Sequence, residues 1–262
     1  MQMINCCFQR AAQQAVALVF LAAAILPLPA LVQAAGIDPQ AEKLLKASTD
    51  FLASQQRFSA FTHSTIEAVL TSGQKLQFDH YVELVAQRPN KLRARRIGDL
   101  VDQDFYYDGK SLTLYNPGEK YYATVEAPGT IEEMLDFARE TLDIVGPAGD
   151  LVYRNAFDIL MQDVTNGFVV GKGIVEGILC DHLAFRSPHV DWQIWIEDGD
   201  RPLPRKLVIT SRDVANAPQF QVVMSEWNLA PETGATLFKF MPNKGHEQID
   251  FLPIDDGDSG TQ

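Results

Sequence analysis

The sequence predicts a mainly β domain with helices, its strands joined antiparallel, behind a segment that directs export. Three observations carry this prediction: an uncharged apolar run near the start, turn signals spaced between period-two segments, and no alternation of strands with crossover helices.

Arg10 is the one charged residue ahead of an uncharged stretch over 11–37, whose apolar centre spans 15–31. A membrane-crossing helix needs about 20 apolar residues, so length alone does not separate an anchor from a signal. Pro27 and Pro29 break a helix near its far end, and Val32-Gln33-Ala34 offers compact side chains where a signal peptidase needs them. The expected organisation is a cleavable signal peptide over 1–34, one domain over 35–252 and a flexible tail over 253–262. The mature form is expected in the periplasm without a stable membrane anchor. Cys6 and Cys7 precede the apolar run and so do not serve as a lipobox cysteine. Cys180 is then the single remaining thiol, which closes no internal disulfide and is expected to be buried and inert.

The composition, 46% hydrophobic and 21% charged, is that of a folded globular chain. Its net charge of −12 becomes −13 without Arg10 and repels phosphate backbones, which argues against a nucleic-acid partner. One basic cluster, Lys91, Arg93, Arg95 and Arg96, interrupts this field. Alternation puts Lys91, Arg93 and Arg95 on one strand face, read as solvated.

The first element is a helix over 38–56, with Asp38 as N-cap, Pro39 at the first helical position and a stripe of Leu44, Leu45, Phe51 and Leu52. Period-two patterning then marks strands over 59–71 and 75–88, joined by Thr71-Ser72-Gly73-Gln74. Leu76, Phe78, His80, Val82 and Leu84 share a face of the second. Pro89-Asn90 leads to a strand over 91–97. Asp108-Gly109 between two aromatic runs predicts a hairpin with a type I′ turn, and Asn116-Pro117-Gly118 a further turn before 120–126. Thr130 and Glu133 form a capping box for a helix with Ile131, Met134, Leu135, Ala138 and Leu142 on its buried stripe, ended by Gly146-Pro147. Asp150 is read as the cap of another helix, reaching Met161. Strands follow over 167–175, 178–186, 190–197, 204–211 and 219–228, with turns at Glu176-Gly177, Ser187-Pro188, Asp198-Gly199-Asp200 and Asn216-Ala217-Pro218.

Chemistry-bearing motifs are sparse. Gly171-Lys172-Gly173 sits between strands, where backbone amides do not converge on a phosphate. Asp79-His80 and Asp181-His182 are neighbours on strands and point to opposite faces, and no Cys or His spacing matches a zinc site. There is no Gly-x-Ser-x-Gly elbow. No cofactor, metal or catalytic residue is therefore expected.

The aromatic positions say more. Trp192, Ile194 and Ile196 share one strand face with Trp195 on the other, and Phe220, Val222 and Met224 share a face opposite Val223 and Trp227. A sheet covered on one side and wet on the other does not carry large aromatics on both. Either both faces are buried by the fold itself, or one is an apolar concavity that receives a ligand.

Phe238-Lys239-Phe240-Met241-Pro242-Asn243-Lys244-Gly245, followed by Ile249 and Phe251, resembles the closing segment of the bacterial outer-membrane lipoprotein carriers, with Asn243 where those proteins often have a second proline. The runs over 105–115, 191–199 and 202–207 are similar to an uncharacterised periplasmic family, domain of unknown function family 2092, and the likeness covers most of 38–252. The resemblance implies a strongly curved antiparallel sheet (a half-open barrel) of about ten strands, with helices covering the concave side; in the carriers that cavity takes up acyl chains. It implies no catalytic residue. The expectation is a non-enzymatic periplasmic module for an apolar small molecule, a lipid or a lipoprotein, with Tyr81, Tyr106, Trp192, Trp195, Phe220 and Trp227 lining the cavity. The rival is an envelope protein-interaction or sensing module with a self-filled core, engaging partners through a surface such as the Lys91/Arg93/Arg95 face. A hydrolase is a more distant third.

Overall fold

The alternating segments pair into a twelve-stranded sheet, and the helices pack on one face of it. The computed structural model describes residues 36–251 apart from 128, 145, 147 and 235. The expected signal peptide and tail lie outside the described residues.

In chain order the elements are α1 (Pro39–Ser54), β1 (Arg57–Val69), β2 (Lys75–Gln87), β3 (Lys91–Gly98), β4 (Asp102–Tyr107), β5 (Ser111–Asn116), β6 (Tyr121–Glu126), α2 (Ile131–Leu142), a 3₁₀ turn (Gly149–Val152), α3 (Ala156–Met161), β7 (Asn166–Val175), β8 (Ile178–Arg186), β9 (Val190–Glu197), β10 (Pro204–Ser211), β11 (Gln219–Asn228) and β12 (Glu247–Gln248). Across the sheet the order is β12-β6-β5-β4-β3-β2-β1-β11-β10-β9-β8-β7. Two meanders, β1 to β6 and β7 to β11, are thus joined where β1 pairs with β11, Ser64 opposite Val222. All pairings are antiparallel except that of β12 with β6. The sheet curves without closing, a half-open barrel with β7 and β12 at its edges and twelve strands where about ten are expected.

The helix starts follow their sequence signals. Asp38 accepts the Gln40 amide at 2.8 Å, with Pro39 in the first turn of α1. Thr130 and Glu133 make both bonds of the capping box on α2. Other local readings are corrected. α2 stops at Leu142, before Gly146-Pro147, because Asp143 takes a left-handed conformation with φ 52°. Asp150 lies inside a 3₁₀ turn rather than capping a helix, and α3 begins only at Ala156. The Asp108-Gly109 hairpin is not type I′, which needs positive φ at both central residues. Only Gly109 of the two has it, at φ 94°, and the Asp108 carboxylate accepts the Lys110 and Ser111 amides at 3.0 Å instead.

Two cores form under the helices. One packs Leu45 of α1 against Leu183, Phe185, Ile194 and Leu207. The other gathers Leu52, Phe58, Leu92, Leu112, Ile131 and Met134, joining the end of α1 and all of α2 to the first meander. Arg88, fully buried at its side chain, fastens this second core. It donates to Glu132 Oε1 at 2.9 Å and to the Val152 carbonyl at 2.6 Å, tying the end of β2 to α2 and the 3₁₀ turn. Tyr107 donates to the Thr130 carbonyl at 3.1 Å, and burial pushes its phenol up to about 12.

Candidate functional site

A hollow of about 260 Å³ remains where the two cores meet, walled by the sheet on one side and by Met134, Leu135 and Leu151 on the other. Strand register explains its shape. Ala60, Leu84, Ala94 and Phe105 form one row across β1, β2, β3 and β4, and all four line the hollow. Two residues along, the row is Met224, Thr62, Val82 and Arg96; two further, it is Val222, Ser64, His80 and Gly98. Burial falls along β1, from Phe58 at 0% exposure to Ile66 at 38%, so the hollow opens toward the β1–β2 turn.

The walls are apolar apart from Thr62, Ser64, His80 and Arg96, which occupy those adjacent rows near the open end. Gly98 is what admits His80: a Cβ there would sit 2.7 Å from the imidazole and 2.3 Å from the Asp79 carbonyl. Burial holds the His80 imidazole below its ordinary value and nearby Arg96 pushes the same way, while Asp99 and Asp79 oppose them. The Ser64 hydroxyl donates to the His80 main-chain carbonyl at 3.4 Å, not to the ring, so these neighbours are not arranged as nucleophile and base. Among the described residues, Arg96 is the one permanently charged side chain in the lining, and no carboxylate pairs with it. Its half-buried guanidinium is held below its usual value by burial.

The six aromatic positions expected to line a cavity divide between the two faces. Phe220 and Trp227 line the hollow. Trp192 is buried beside a second, smaller hollow of about 180 Å³, which shares Ala148 and Leu151 with the first. Trp195, Tyr81 and Tyr106 lie on the outer face. Trp195 stacks on His182 at 4.0 Å under Lys206, Tyr81 on His63 at 4.5 Å, and Tyr106 lies under Arg93 and against Phe240. Trp227 is a correction in the opposite sense, because strict alternation sends it away from Met224. A bulge intervenes: Phe61 pairs with Ser225 but Ser59 with Asn228, and Glu226 has φ 51°, which turns Trp227 to the same face as Met224.

The basic face is engaged within the chain. Arg93 and Arg95 reach Asp104 at 3.7 and 3.4 Å, Arg95 also pairs with Asp102, and Lys91 lies over the Phe238 ring. Cys180 is buried, and burial pushes its thiol up. The described residues contain no group of three or more His, Cys, Asp or Glu placed to hold a metal, and no helix among them is long and apolar enough to cross a membrane.

A family model described as a predicted periplasmic protein (DUF2092) matches residues 41–252. No curated protein matches the chain. Among solved structures it is similar to LprF from Mycobacterium bovis, at 15% identity, 76% coverage of this chain and 97% of that one, with a TM-score of 0.43. It is similar to the lipoprotein LppX from Mycobacterium tuberculosis at 15% identity, covering 74% and 98%, with a TM-score of 0.44. A LolA superfamily protein from Nitrosomonas europaea aligns at 11% identity over 76% and 97%, with a TM-score of 0.34.

Proposed function

The chain belongs to this family of predicted periplasmic proteins, and from that premise we propose that it is a non-enzymatic periplasmic module that holds an apolar or acylated ligand in the hollow between sheet and helices. The observation that carries the reading is the apolar hollow itself, left open where two well-packed cores meet. Its 260 Å³ lies just below the roughly 300–1,000 Å³ of ordinary ligand pockets. At roughly 30 Å³ for a water-sized group, and a methylene is of similar size, that is room for about nine methylenes. The space suits one slender tail better than two or three. Burying nine methylenes at about 0.8 kcal/mol each grosses about 7 kcal/mol before ordering costs. Affinity is therefore micromolar or weaker where burial acts alone. Phe220 and Trp227 supply aromatic wall, and Trp192 closes the neighbouring hollow. In this reading the segment over 1–34, with its apolar run over 15–31, is the cleaved export signal and the mature chain begins at Ala35.

The rival module with a self-filled core has less support, since the core is not filled and its candidate docking face is paired internally. The test uses protein purified from the periplasm. Native mass spectrometry is expected to show a co-purifying lipid, and a brominated fatty acid is expected to quench Trp227 while leaving Trp195 emission largely intact. No bound lipid together with no saturable quenching would sink the reading.

A further inference from the structure

Arg96 stands apart from the arginines around it. Arg88 is paired with Glu132, Arg93 with Asp104, and Arg95 with Asp102 and Asp104. Arg96 enters a wall of Val82, Ala94 and Met224 with no carboxylate to meet it among the described residues. A guanidinium drawn part-way out of water without an anion is costly, and removing its charge by deprotonation is closed to arginine. Asp79 and Asp99, whose charges act on the neighbouring His80, do not answer it: Asp79 is half-exposed and bonds His63 and Thr65 on the outer face, and Asp99 accepts the Asp79 amide. The register adds direction. Polar Thr62, Ser64, His80 and Arg96 sit in the rows nearest the opening, while the rows beyond, toward Phe58 and Leu112, are apolar.

We propose that the hollow selects a single-tailed amphiphile with an oxyanion head, a carboxylate or a phosphate, its head meeting Arg96 near the opening and its tail running toward Phe58 and Leu112. This rests on the binding reading above and narrows it to a ligand class. The planar fork of a guanidinium matches both oxyanions in bidentate geometry. Thr62, two strands away on β1 in the same row, adds a hydroxyl donor. The net charge of −12 does not oppose capture, because exposed carboxylates more than about 8 Å away are largely screened at physiological salt. At the head itself the local charge is Arg96.

The experiment compares heads on nine-carbon tails by titration calorimetry at neutral pH, using delipidated protein. The ligands are decanoate, nonyl phosphate and methyl decanoate, with acetate and inorganic phosphate as tail-free anions. Decanoate and nonyl phosphate are expected to bind about tenfold more tightly than methyl decanoate, the tail-free anions not measurably. Arg96→Gln is expected to abolish the preference of acid over ester, and Arg96→Lys to restore part of it. Equal affinities for decanoate and methyl decanoate in the wild type overturn the head assignment and leave the binding reading standing. A preference that survives Arg96→Gln overturns the role of Arg96. Tail-free phosphate binding as tightly as nonyl phosphate overturns the amphiphile. Binding of neither decanoate nor its ester removes both readings. The wild-type preference needs no variant, so it decides the head assignment even where a substitution disturbs folding.

Discussion

His80 and His182 are carried into the sheet in their uncharged forms. For each, burial is the largest influence on the imidazole and lowers its pKa; Arg96 adds to this at His80 and Lys206 at His182, against the opposing bond of His182 to Gln193. In the unfolded chain both titrate near 6.5, so below that pH the unfolded state binds more protons than the native one. Stability therefore rises with pH across that window and is lost as the solution is acidified from about 6.5 toward the depressed native values. The carboxylates behave differently: Asp79, held low first by its bond from Thr65, and Asp191, held low first by Arg186, give up their contribution only on acidification below the ordinary carboxylate range. Urea melts between pH 8 and pH 5 are expected to show wild-type stability falling before Asp79 or Asp191 titrates. In His80→Gln that early fall is expected to shrink. An unchanged slope in the variant would remove His80 from this account.

At the scale of elements, the strands were legible because half-buried strands alternate, and nearly every predicted segment coincides with an observed strand. The helix starts were legible because Asp38 and the Thr130–Glu133 pair answer unpaired amides by local chemistry. What local chemistry does not encode was lost. The bulge at Glu226 carries no glycine to announce it, so alternation alone sends Trp227 away from the cavity it lines. Outer-face aromatics looked like cavity lining because composition does not show that a ring is satisfied by an imidazole or a cation, as Trp195 and Tyr106 are. Arg96 did leave a signal: alternation separates it from Arg93 and Arg95 and puts it with Leu92 and Ala94. The docking of α2 was not legible, since Arg88 reaches it across 44 positions of chain. Arg88→Ala removes a buried partner of Glu132 and of the Val152 carbonyl, and is expected to cost about 3 kcal/mol in urea unfolding. Arg88→Met, which keeps most of the volume, should cost less. Equal losses would mean that the ion pair and hydrogen bonds of Arg88, not its packing, hold the helix.

For the molecule as a whole, an open hollow between two cores is stability left unused, and the proposed binding role accounts for keeping the space. Ala94 lies on β3 between Leu84 and Phe105, with its side chain on the hollow. Ala94→Phe extends a ring into room that already exists, so it adds buried apolar area without the overpacking that a filled core would suffer. A gain of 1 kcal/mol raises Tm by about 2–4 °C in a domain of this size, and a rise of that order is expected for the ligand-free variant. Ligand linkage should then move the other way. At a decanoate concentration 100-fold above Kd the wild type gains about 2.7 kcal/mol from binding alone, and Ala94→Phe is expected to lose most of that increment along with at least tenfold in affinity. Val85→Phe, on the opposite face of β2, is the matched control and should leave decanoate binding as it was. The two effects must come together. A variant that is stabilised yet binds decanoate normally places the ligand somewhere other than this hollow, and one that loses both stability and binding shows that the space was never free.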